Sequence, residues 1–168
     1  MIRIIVAIER SRGLADDRGI PWQGRIPSDA RYFRDETSSG IVLMGFRTYA
    51  EFELPLHDRP NFVLARPGSS LRPGFVAVPD LAGFFEERSD ESVWVIGGAA
   101  LFAQSLPFVD ELYLTRLDAD FACTKFFPPF EDRFRRETGT GQQVEGGIPF
   151  DFEVWGRRAP EDRPTDPA

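Results

Sequence analysis

The chain has 168 residues, 42% of them hydrophobic and 28% charged, with 27 acidic side chains against 20 basic ones and a formal net charge of -7. That length and balance describe one globular domain, and the acidic excess opposes both sliding along nucleic acid and docking on an anionic membrane. A single cysteine, Cys123, excludes an intramolecular disulfide, and a single histidine, His57 in a polar turn, leaves a histidine-built zinc site or a Ser/His triad nothing to stand on. Nineteen of the twenty basic residues are arginines, so an anionic ligand must be gripped by local arginine clusters. The apolar run at residues 4–8 is too short for a signal segment, and no 18-residue apolar stretch occurs. A reducing cytoplasm is the expected setting, with no metal.

Apart from Arg3, residues 2–8 are apolar and largely β-branched, the pattern of a strand buried on both faces of a parallel sheet. A long loop follows, containing Ile20-Pro21-Trp22 and closing on Pro27-Ser28-Asp29. Ser28 or Asp29 supplies the start signal for a helix over about residues 28–36. Asp29 and Phe33 then stand four apart on one face, which turns the carboxylate inward beside an aromatic ring. An inward carboxylate is costly unless a ligand with adjacent N–H donors pairs with it. An Asp at a helix start is more commonly an N-cap, and spacing alone leaves it there.

Ile41-Val42-Leu43-Met44 is the next apolar strand, running through Gly45 and Phe46 into a helix start at Arg47-Thr48-Tyr49. A strand at residues 61–64 ends beside Arg66; another over 75–78 precedes a helix starting near Asp80. Val93-Trp94-Val95-Ile96 then passes through Gly97-Gly98 into a helix carrying Phe102. Ligands of such sheets bind beyond the carboxyl ends of the strands, where Arg47 and Arg66 fall, and two arginines there suit a phosphate. A Gly-Gly pair lets a phosphate approach backbone N–H groups, although a bare Gly-Gly is more often a tight turn and the chain lacks a GxGxxG fingerprint. Residues 112–118 and 150–155 alternate polar and apolar, the mark of an antiparallel hairpin at one sheet edge.

The expected architecture is an α/β three-layer sandwich, with a mostly parallel central sheet, helices on both faces and an antiparallel C-terminal edge hairpin. One domain spans residues 1–158. Residues 159–168 hold three prolines, three acids and no large apolar side chain, and read as a disordered acidic tail.

These pieces, in this order, resemble the dihydrofolate reductase family. The matching features are Val6-Ala7-Ile8, Ile20-Pro21-Trp22, Pro27-Ser28-Asp29 with Phe33, Met44-Gly45 with Arg47-Thr48-Tyr49, Arg59-Pro60-Asn61, Val95-Ile96-Gly97-Gly98, Leu112-Tyr113-Leu114-Thr115 and Phe126-Phe127-Pro128. The resemblance implies hydride transfer from NADPH to 7,8-dihydrofolate, giving tetrahydrofolate, by a monomer that binds no nucleic acid or membrane. It makes Asp29 the carboxylate that binds the pterin 2-amino and ring N–H groups, and Trp22 the residue that helps hold a water near it. It assigns Ile5, Phe33, Phe52, Leu56, Ile96 and Thr115 to the pterin and benzoyl site, and Arg59 to the glutamate carboxylate. Ala7, Gly45, Arg47, Thr48, Arg66, Gly97, Gly98 and Phe102 fall on the cofactor side, and it joins Gly97 to Gly98 by a cis peptide.

The chain departs from the family pattern at several points. Phe46 stands where a phosphate-binding arginine is usual, and Phe102 where tyrosine is common. Gly13-Leu14-Ala15 and Cys123-Thr124-Lys125 replace the usual sequences of the active-site loop and of the loop supporting it, and about two extra residues separate Trp22 from Asp29. A same-fold reductase of another heterocycle, such as the pyrimidine intermediate of riboflavin synthesis, and a non-catalytic nucleotide-binding module are the alternatives.

Overall fold

The structure is a computed structural model and describes residues 1–159; the tail expected at 159–168 lies outside the described residues except for Ala159. Strand β1 (Ile2–Ile8) runs parallel between β6 (Val93–Val95) and β7 (Glu111–Leu117). Beyond β6 the sheet continues in parallel through β3 (Ile41–Gly45), β4 (Asn61–Leu64) and β5 (Phe75–Val78). These strands are mainly apolar because side chains alternate between two covered faces. Ile4, Ile8, Leu43, Val93 and Val95 pack with Phe84 and Phe85 of α3 (Leu81–Glu87) and with Leu101 and Phe102 of α4 (Ala99–Ser105). Ile5, Val42, Met44 and Trp94 pack instead with Tyr32 and Phe33 of α1 (Pro27–Thr37) and Tyr49 of α2 (Phe46–Glu51). This is the three-layer arrangement expected from the sequence.

The helix starts differ in one respect from expectation. Helix α1 begins at Pro27 with Ile26 in the cap position, and neither Ser28 nor Asp29 caps it. Proline has no N–H to lose at the first position, so it opens the helix one residue early. Glu145, on a distant strand, takes the capping role: its Oε2 accepts from Ser28 N at 2.9 Å. Asp80 does cap α3, accepting from Ala82 N at 3.2 Å.

The C-terminal edge is larger than one hairpin. Strand β11 (Ile148–Arg157) lies antiparallel on β7 and carries two further antiparallel strands, β9 (Phe134–Gly139) and β10 (Gln143–Glu145). The β10–β11 turn is Gly146-Gly147 with φ of +57° and +73°, the twist-matched two-residue turn that glycine adopts freely. A small second sheet pairs β2 (Gly13–Ala15), just after β1, with β8 (Lys125–Phe126). Beneath it Trp22, Ile26, Leu117, Cys123, Ile148 and Phe150 form a separate apolar cluster.

Candidate active site

The six parallel strands end along one edge, where several of the predicted residues lie. Ala7 is the last residue but one of β1 and sits in register with Thr115 on β7. The Thr115 hydroxyl, buried at 1% exposure, donates to Asp29 Oδ1 at 2.6 Å. Thus the first turn of α1 and the middle of β7, 86 residues apart, meet at one carboxylate. Burial pushes the Asp29 carboxyl above its ordinary range, and the Thr115 hydrogen bond pulls the other way without cancelling it. The carboxylate has thus turned inward as the i, i+4 spacing with Phe33 suggests, not to a capping position.

Beside it, Phe33, Phe52, Leu56 and Ile96 are partly buried hydrophobics resting on the cluster that contains Ile5. They supply an apolar wall continuous from the end of β1 to the segment after α2. Trp22 is buried, leaning on Phe121 with ring centroids 5.2 Å apart.

Arg59 lies at the far end of α1. Its Nε donates to the His57 carbonyl at 2.9 Å, and its Nη1 donates to the Thr37 hydroxyl and to the Arg34 carbonyl. Thr37, fully buried, in turn donates to the Phe33 carbonyl at 2.7 Å. Asn61 grips the same loop: Oδ1 accepts from Leu56 N, and Nδ2 donates to the Leu56 and Arg59 carbonyls, all within 2.9 Å. The guanidinium is therefore anchored on one side, with Nη2 outside these bonds. A bidentate partner for a carboxylate needs that kind of fixed fork.

Across the edge, Gly45 N donates to the Gly97 carbonyl at 2.6 Å, and the Gly97–Gly98 peptide is cis. A side chain at Gly98 would stand 3.3 Å from the Thr48 hydroxyl of α2, and Gly97 has a φ of +125°, which glycine adopts freely. Phe102 is buried on the other side of this turn, tilted against Phe127 with ring centroids 5.3 Å apart, and its ring end would stand 3.4 Å from a Cβ at Gly97. A groove of about 720 Å³ opens beyond, lined by Phe46, Arg47, Arg66, Ser69, Pro79 and Gln104 among others. Neither the Arg47 nor the Arg66 guanidinium has an ion pair or hydrogen bond among the described residues. Two free cations in a concave site on an acidic chain suit the phosphates of a dinucleotide. Phe46, half exposed beside them, tilts against Tyr49 at 5.4 Å.

Thr37, Asn61, Glu145, Ser69 and Gln104 were not picked out from the sequence. Asn61 alone left a trace there, as a polar amide opening an otherwise apolar strand; the others look like ordinary helix or loop residues. No group of three or more potential metal ligands occurs among the described residues, and no described helix is long and apolar enough to cross a membrane.

A family model described as dihydrofolate reductase matches residues 1–157. Dihydrofolate reductase of Bacillus subtilis is 31% identical, covering 91% of each chain, and that of Drosophila melanogaster is 32% identical, covering 90% of this chain and 94% of that one. Among solved structures, dihydrofolate reductase from Enterococcus faecalis complexed with NADP(H) and RAB-propyl superposes with a TM-score of 0.84. At 20% identity it covers 95% of this chain and 97% of that one.

Proposed function

The chain belongs to the dihydrofolate reductase family, and from that premise we propose how its residues carry out the NADPH-dependent reduction of 7,8-dihydrofolate to tetrahydrofolate. The observation that carries the assignment of roles is the buried Asp29 carboxylate, held by the Thr115 hydroxyl at the edge of an apolar wall. The reaction adds a hydride to C6 and a proton to N5 of the substrate. When bound, NADPH supplies the hydride.

Asp29 accepts from the 2-amino and ring N–H groups of the pterin, which gives the inward carboxylate the partners its burial demands. Its negative charge, in a site of low polarity, favours the protonated N5 that receives the hydride. Trp22 holds the water through which that proton arrives. No hydrogen bond of the Trp22 side chain occurs among the described residues, which leaves its indole N–H available for the task. Phe33, Phe52, Leu56, Ile5 and Ile96 exclude solvent from the rings, and Arg59 takes the α-carboxylate of the glutamate tail. Arg47 and Arg66 hold the cofactor phosphates, Thr48 lies against the Gly97-Gly98 turn, and Ala7, Gly45 and Phe102 shape the nicotinamide end. Orientation of two rings in one groove accounts for much of the acceleration.

We place residues 1–158 in one domain, working as a monomer in the cytoplasm. The expected result is that the purified protein oxidises NADPH only when dihydrofolate is present. Absence of that turnover across a range of pH and salt, or faster turnover on a ribosylated pyrimidine than on dihydrofolate, overturns the reading. Light scattering giving twice the chain mass overturns the monomer.

A further inference from the structure

We propose that Glu9 is a positioning residue for this reaction, fixing Trp22 through the segment that carries Phe121; the inference rests on the function proposed above. Glu9 directly follows β1 and is 1% exposed, yet no step of the chemistry uses it. Its Oε1 accepts from Ser11 N and Gly13 N, both at 2.9 Å, and its Oε2 accepts from Phe121 N at 3.4 Å. A buried carboxylate is tolerated when backbone donors surround it. Here the donors come from two segments that the chain separates by more than a hundred residues. One is the turn leading into the loop of Trp22; the other is the segment whose Phe121 ring supports the Trp22 indole.

Gly13 shows how closely the carboxylate is fitted. A Cβ at this position would stand 2.6 Å from Glu9 Oε1 and 2.5 Å from Cys123 Cβ. The backbone at Gly13 is not in the left-handed region, so the absent side chain is explained by the space Glu9 and Cys123 occupy. Glu9, Gly13 and Cys123 thus form one interlocked set, at the two places where this chain departs from its family's usual loop sequences. Without the carboxylate, three N–H donors lose their acceptor and the segment under Trp22 loses its tether to the end of β1. The indole then loses the support of the Phe121 ring, while Arg59 and the arginines of the cofactor groove are untouched.

The test compares hydride-transfer rates of the full chain carrying Glu9→Gln, Phe121→Ala, Trp22→Phe and their pairs. Glu9→Gln keeps one acceptor oxygen and the side-chain volume; Phe121→Ala removes the supporting ring and leaves Glu9 intact. Each is expected to slow hydride transfer about fivefold or more at neutral pH, with KM for NADPH changed less than about twofold. In a Trp22→Phe background the further loss from either is expected to fall below about twofold, because the residue they act through has gone. A loss of equal size in both backgrounds overturns the inference, as does a wild-type rate in Glu9→Gln or in Phe121→Ala. If Glu9→Gln fails to fold, Phe121→Ala decides alone. A wild-type protein that does not reduce dihydrofolate overturns the proposed function itself.

Discussion

At the scale of the residue, Asp29 joins catalysis to a stability cost. Burial raises its carboxyl pKa, so the folded state holds a proton more tightly than the unfolded chain. That difference works against folding at every pH above its raised folded pKa and vanishes below the unfolded value of about 4. Asp29→Asn is therefore expected to raise Tm at pH 7, with the gain fading as pH falls towards 4. The same variant is expected to slow hydride transfer by about a hundredfold or more at neutral pH. In the wild type the rate falls as pH rises through the pKa of the substrate's N5, which the Asp29 carboxylate holds up, because hydride transfer needs that nitrogen protonated; Asp29→Asn moves the inflection to lower pH. Calorimetry and a pH series of single-turnover rates check both. Arg59 offers a second test on a different ligand group. Arg59→Lys loses the fork and Thr37→Val loses the hydroxyl that anchors it. Each is expected to raise KM for dihydrofolate, by about tenfold for Arg59→Lys, with little change for a dihydropterin that lacks the glutamate tail. Equal loss on both substrates would place the defect in the fold.

At the scale of the element, helix α1 carries Asp29, Phe33 and Thr37 on one side, and its setting comes from outside itself. Its N-terminus has no side-chain cap of its own, and the Glu145 carboxylate arrives from β10 to bind Ser28 N, where the helix dipole favours a negative charge. Glu145→Ala is expected to cost about 1 kcal/mol in urea unfolding. Gly146 packs against the preceding chain so closely that a Cβ would lie 2.2 Å from the Arg25 carbonyl oxygen, and its φ is +57°. Gly146→Ala therefore strains both the turn and its contact with Arg25, in the segment leading into α1, and is expected to exceed Glu145→Ala in its effect. The strands show what a pattern can carry. β1, β3, β4 and β6 are apolar apart from Arg3 and Asn61 and were readable because both faces are covered. β9 was not: of its residues Phe134–Gly139 only Phe134 is buried, so its place is set by backbone bonds to β11, which leave no mark in hydrophobic periodicity.

At the scale of the whole molecule, the aromatic residues form a chain of contacts behind the site. Phe102, Phe127, Phe130 and Trp155 touch in succession at centroid distances of 5.0 to 5.7 Å. Phe130 is fully buried within it. Phe130→Ala is expected to cost about 3–5 kcal/mol in chemical unfolding, with activity of the folded fraction retained because the ring lies behind the nicotinamide end and not in it. The charge excess of the opening composition also finds its place. Most arginines are committed to acids or carbonyls elsewhere, such as Arg3 with Glu111 and Arg136 with Asp151, whereas Arg47 and Arg66 are left free in the groove. The sequence by itself determined the layered sheet and the strands buried on both faces, because burial is written in residue type and spacing. The roles of Trp22, Asp29, Phe33, Arg59 and Gly97-Gly98 came instead from the resemblance to the family, since spacing alone left Asp29 a helix cap and Gly-Gly a turn. Only the tertiary structure decided that Thr115 binds Asp29, that Thr37 and Asn61 anchor Arg59, that Glu145 caps α1 and that Glu9 joins two distant loops. Those are single polar contacts across long stretches of chain, and each depends on where a hydrogen bond closes in space, which no local pattern encodes.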